Sequence, residues 1–241
     1  MIKDSHQVSI VMYHYIREIK KSPYPGIKGL EREDFIKQLT FFKKNYNVIT
    51  VETLLNFYNR GTPLPQNAML LTFDDGYQDH YINAFPLLME FGFQGSFYIP
   101  AKTVEENVVL DVNKIHYILA ACTETGLLIS DIKKFIKEHT VKYNLEPFDY
   151  YYNQLAISNR FDDKKTIFIK RILQHALPEL LRNKIVDELF QKFVGIDEKI
   201  FSQNLYMNKN QLTDMLANGM HIGVHGFEHY WWDKLSAVAL E

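Results

Sequence analysis

Along this chain, unbroken apolar or β-prone runs alternate with stretches that carry a helical period. VSIVMYHYI (8–16) is β-branched and aromatic, which predicts a buried strand. Residues 31–45 place Phe35, Leu39 and Phe42 at i, i+4 and i+7 with lysines between them, the pattern of an amphipathic helix. NVIT (47–50) predicts a short strand. Thr50 can then cap a helix that ends near Arg60, with Gly61 as its stop. AMLLTF (68–73) is continuously apolar, as expected of a strand covered on both faces. Residues 77–91 predict a helix closed by Gly92, and GSFYIP (95–100) predicts the next strand. The order β-α-β-α-β-α-β is the signature of a parallel sheet or barrel.

From about residue 105 to 205 the pattern holds helices and no confident strand, as in NKIHYILAAC and ISDIKKFIKEHT. This predicts a helical insertion at 105–205 within a single α/β domain that spans 1–241. The α/β grammar returns at MNKNQLTDMLANG. There Asn208 and Gln211 have the spacing of a capping box and Gly219 ends the helix. MHIGV (220–224) is then a strand, with HGFEHYWW just past its C-terminal end.

Composition narrows the class. The chain has 241 residues, 46% of them hydrophobic, enough for one sizeable core or one domain with an elaboration. Its 27 basic and 29 acidic residues leave a formal charge of −2, which argues against nucleic acid or an anionic membrane surface as a partner. The single cysteine, Cys122, excludes an intramolecular disulfide and reads as a small buried hydrophobe. The N-terminus lacks the basic and long apolar regions of a signal peptide, and no apolar run approaches the roughly 18 residues of a membrane span. The expected location is cytoplasmic.

Two clusters carry chemistry. LTFDDGYQDH (71–80) sets two adjacent aspartates, Asp74 and Asp75, at the end of a buried strand, where like charges cost stability unless something neutralises them. His225 and His229 follow the last strand. In parallel α/β folds the site lies at the C-terminal strand ends, so both pairs fall on one rim. A carboxylate and two imidazoles are the ligand types of a zinc-like divalent site with positions open to water and substrate. One aspartate then binds the metal while the other stays free as a base. Gly76 permits the tight turn that presents both.

TFDDG followed by H-x-x-x-H resembles the polysaccharide deacetylase family, the NodB-homology carbohydrate esterases, and VMYHYI is similar to a first strand of that family. The resembling motifs cover residues 8–100 and 208–232. The resemblance implies a distorted parallel (β/α) barrel and one divalent metal ion, zinc by preference. It makes Asp74 the general base and Asp75, His225 and His229 the metal ligands. Position 226 is Gly where the family has Ser or Thr, and the family's later motifs, including its C-terminal general acid, are missing. The chain is therefore read as incomplete at its C-terminus. His14 is the one candidate acid, and His14, Tyr98 and Trp231 are candidate substrate contacts.

The implied activity is metal-assisted removal of N-acetyl groups from an amino sugar in a cell-surface glycan or its precursor. The expected partner is accordingly an N-acetylated sugar or polysaccharide. Two other readings stand beside it: a non-catalytic glycan- or metal-binding module derived from the same family, and a different metal-dependent amidohydrolase on the same barrel.

Overall fold

The apolar run at 68–74 forms the middle of a parallel sheet, as its lack of polar alternation requires. The computed structural model describes residues 7–229. The chain divides into two units. One holds the residues before Ser22, Lys28–Val108 and those from Lys199 onward, and the other holds Ser22–Ile27 and Val109–Glu198.

The first unit begins with β1 (Val8–Tyr13) and β2 (Ile16–Arg17). The single strand expected over 8–16 is thus broken at His14–Tyr15. Here the Tyr15 ring turns in to stack on Tyr77 at 4.1 Å, and the His14 carbonyl lies 2.8 Å from Nε2 of His80. β3 (Leu30–Glu31) pairs with β2 in a two-stranded parallel ribbon. Then come α1 (Arg32–Asn45), β4 (Asn47–Val48) and α2 (Val51–Arg60). Thr50 caps α2 by accepting the Thr53 N–H at 3.2 Å, and Gly61 ends it at φ +67°. β5 (Ala68–Asp74) follows.

The helix expected over 77–91 is two elements. A π-turn over His80–Ala84 leads into α3 (Phe85–Phe91). Pro86 explains the break, because it has no N–H to offer a carbonyl four residues back and its ring crowds that position. β6 (Gly95–Ile99) and α4 (Ala101–Glu106) complete this stretch.

The regular elements of the second unit are helices: α5 (Asp111–Ala121), α6 (Thr125–Tyr143), α7 (Phe148–Leu155), α8 (Lys164–Arg171), a π-turn over Ile172–Ala176 and α9 (Glu179–Phe193). Its core gathers Ile115, Ile118, Leu128, Ile132, Phe168, Leu181 and Ile185, all buried. Cys122 is buried at the end of α5. After α10 (Glu198–Leu205), the chain forms α11 (Lys209–Ala217) under an Asn208–Gln211 capping box, and β7 (His221–Val224).

The main sheet runs β1-β5-β6-β7, with β4 added beside the start of β5, and every pair is parallel. Among the described residues it is an open α/β sheet, as an incomplete barrel would be. Phe35 and Leu39 of α1, Leu88 of α3 and Met215 of α11 pack with Met69, Leu71, Phe73 and Phe97 into one core. Tyr13, Phe73 and Phe97 stack across three neighbouring strands at 5.2 and 4.5 Å. Parallel pairing in this register sets Tyr13 beside Phe73, Asp74 beside Tyr98, and Tyr98 beside Gly223, so four C-terminal strand ends share one rim.

Candidate metal centre

Asp74 closes β5, and the next two residues both take left-handed backbone, Asp75 at φ +72° and Gly76 at φ +66°. A non-glycine residue there is strained, and aspartate tolerates the region better than most. The reversal sends the two neighbouring carboxylates in different directions. Asp74 remains half-buried at the rim, whereas Asp75 is only 2% exposed.

Asp75 is where the distant parts of the chain meet. Its Oδ2 accepts the Tyr77 hydroxyl at 2.6 Å. Its Oδ1 faces Nε2 of His229 at 3.2 Å and Nε2 of His225 at 3.5 Å. One ligand atom from each of the three residues lies within 4.8 Å of the other two. Yet Oδ1 is buried and accepts no hydrogen bond from the described residues, so these are close approaches without hydrogen-bond geometry. An orphaned carboxylate oxygen facing two imidazole nitrogens is the donor set of a divalent cation. The residues present fit a metal ion.

The electrostatics separate the two aspartates. Burial raises the Asp74 carboxyl above the usual range and the Asp75 charge adds to the rise, against the pull of His225 and His14. Burial also acts to raise Asp75, but contacts from His225, His229 and Tyr77 outweigh it and hold its carboxyl below the usual range. Contact with Asp75 raises the His229 imidazole. Burial drives the Tyr77 phenol well above its ordinary value, so it stays a proton donor to Asp75.

His14 follows β1, with Nε2 3.9 Å from Oδ2 of Asp75. Tyr98 lies inside β6, in register with Asp74, and the strand continues to Ile99 before Pro100 leads into α4. Trp231 falls outside the described residues.

Two residues matter that the sequence patterns did not single out, although both sit in the LTFDDGYQDH segment. Tyr77, fully buried, is the hydroxyl partner of Asp75. His80, also fully buried, approaches the His14 carbonyl with Nε2 at 2.8 Å. Asn83 Nδ2 donates to the Ile16 carbonyl at 2.8 Å, and Arg17 donates to Asp79 at 2.6 Å. The π-turn thus grips the backbone that carries His14. Such contacts leave no period or spacing in a sequence.

Fold and site together define an α/β protein with a carboxylate–imidazole cluster at the C-terminal ends of parallel strands. In sequence the chain is similar to the polysaccharide deacetylases. A 56-residue stretch, 23% of this chain, is 38% identical to the poly-beta-1,6-N-acetyl-D-glucosamine N-deacetylase of Escherichia coli strain K12. The stretch spans 8% of that relative's length. No family model matches the chain. Among solved structures, a de-N-acetylase from Aggregatibacter actinomycetemcomitans aligns over 41% of this chain and 39% of its own, with 23% identity and a TM-score of 0.37. The Streptococcus pyogenes deacetylase PplD aligns over 68% of this chain and 80% of its own, with 17% identity and a TM-score of 0.37.

Proposed function

We propose that this protein is a metal-dependent hydrolase that removes N-acetyl groups from an amino sugar of a cell-surface glycan or its precursor. The observation that carries the reading is the meeting of Asp75, His225 and His229 within 4.8 Å, beside a second carboxylate that none of them occupies. The similarity of the chain to a glycan N-deacetylase supports the substrate class. Within this reading, the helical second unit is an insertion in the catalytic domain.

Asp75, His225 and His229 would hold the ion, with zinc favoured by the N/O ligand set. Bound there, a divalent ion supplies Lewis-acid chemistry to an acyl oxygen and acidifies water. Tyr77 fixes the Asp75 carboxylate through Oδ2, leaving Oδ1 for the cation. Asp74 takes the proton from the attacking water, and its raised pKa makes it a stronger base than an ordinary aspartate. In this reading His14, 3.9 Å from Asp75, returns a proton to the departing amine. Tyr98, alongside Asp74, offers its ring and hydroxyl to the sugar. The balance is one water and one N-acetyl amide consumed, with one acetate and one free amine formed. No helix among the described residues is long and apolar enough to cross a membrane.

The test is elemental analysis of the purified chain together with acetate release from N-acetylglucosamine oligomers. Bound metal with acetate release that disappears in Asp74→Asn supports the assignment. Bound metal without release from any acetylated sugar, or turnover confined to cyclic amides, overturns it.

A further inference from the structure

The two imidazoles ride on a short loop, residues 225–229. Left-handed residues kink it at both ends, Gly226 at φ +63° and His229 at φ +60°. Gly226 has no side chain with which to brace the loop. Among the described residues, the loop is held from the neighbouring strand end. The His225 N–H donates to the Ile99 carbonyl at 3.1 Å, continuing the β6–β7 ladder by one residue. The Lys102 N–H reaches the Phe227 carbonyl at 3.4 Å, and the Lys102 ammonium pairs with the Glu228 carboxylate.

Lys102 is the second residue of α4, directly beyond β6. The entry to α4 is itself anchored, since the buried Thr103 hydroxyl donates to the Pro100 carbonyl at 2.8 Å. The Lys102 and Glu228 side chains are 25% and 32% exposed, which shields their pairing from much of the solvent. Glu228 adjoins His229, so whatever holds its carboxylate also limits where the His229 imidazole can stand.

We propose that Lys102 is a positioning residue for the metal centre. By pairing with Glu228 it holds the 225–229 loop in the shape that aims both imidazoles at Asp75. The inference rests on the metal reading above. It adds a residue that touches neither the ion nor the reacting atoms.

The experiment is cobalt(II) titration of the full chain, read by visible ligand-field absorption, with zinc competition for affinity. Lys102→Met is expected to weaken cobalt binding by about 10-fold or more and to change the band shape, as loss of an outer support typically does. Glu228→Gln should reproduce this effect. Lys102→Arg, which keeps the charge, should restore most of the affinity. Unchanged affinity and spectrum in folded Lys102→Met and Glu228→Gln, with normal cobalt uptake by the unaltered protein, overturn the brace and leave the metal centre standing. Failure of the unaltered protein to take up cobalt overturns both.

Discussion

Nε2 of His229 stands 3.2 Å from Oδ1 of Asp75, a carboxylate oxygen that is buried and accepts no hydrogen bond from the described residues. Two residues far apart in the sequence, at positions 75 and 229, thereby share one point at the mouth of the sheet. A cation there would relieve the orphaned charge of Asp75 and use both imidazoles.

The two aspartates should respond in opposite ways to the same change. Asp75→Asn removes a ligand charge and should cut zinc affinity by at least about 100-fold. Asp74→Asn should keep the metal and lower hydrolysis by roughly 10²- to 10⁴-fold, the usual weight of a general base. Metal content and acetate release, measured on both variants, separate the roles. If Asp74→Asn sheds the metal and Asp75→Asn keeps it, the assignment is reversed.

Tyr77→Phe deletes only the hydroxyl that Asp75 Oδ2 accepts at 2.6 Å. The ring packing on Tyr15 and Tyr206 survives the change. Zinc affinity should fall by roughly 10- to 100-fold, with the fold retained. Isothermal titration beside circular dichroism checks this. An affinity equal to that of the unaltered protein would show that Oδ2 needs no partner.

His80 ties stability to acid. Burial pushes its imidazole from 6.5 down to about 4, because the charged form finds no water inside the core. In the unfolded chain the ring takes up a proton below its ordinary pKa, while in the folded chain it stays neutral until about pH 4. The unfolded state therefore binds more protons in that window. Stability is full above the ordinary histidine pKa and declines as pH falls, by about 3 kcal/mol across the range. Urea unfolding between pH 7 and pH 4, extrapolated linearly to zero denaturant, should show a shallower acid slope for His80→Gln. Parallel slopes would mean that another group carries the dependence.

The helical unit has its own charged anchor. Lys114 is only 6% exposed, with Asp187 at 2.6 Å and Glu198 at 2.9 Å. Burial acts to lower its pKa, but these carboxylates outweigh burial and raise it. Its contribution is complete below the ordinary lysine pKa and is lost as pH rises through the higher folded value. Lys114→Ala should cost about 1–3 kcal/mol, reduced from the fully buried case because both carboxylates remain partly hydrated. Lys114→Met, which refills the volume, should recover part of that loss. Thermal melts at pH 7 and pH 11 test both statements, and equal melting temperatures for Lys114→Ala and the parent would contradict them.

Much of the architecture was legible in the residues themselves. The apolar run at 68–73, the Thr50 cap, the glycine stops at 61 and 92 and the Asn208–Gln211 box each encode local structure within a few positions. The structure shows each of them in place. The gathering of Asp75 and the two histidines was legible too, because all three stand at strand ends and strand ends are where parallel sheets put their sites. Pro86 also stood in plain view, although its effect, a π-turn in place of a helix start, went unread. The tertiary structure alone decided which atoms meet. The meeting of Asp75 with His225 and His229, the grip of His80 on the His14 backbone and the Lys102–Glu228 pair all depend on strand order and register. Periods and caps act between neighbours along the chain. These contacts join residues that become neighbours only after the sheet has formed, so no local pattern records them.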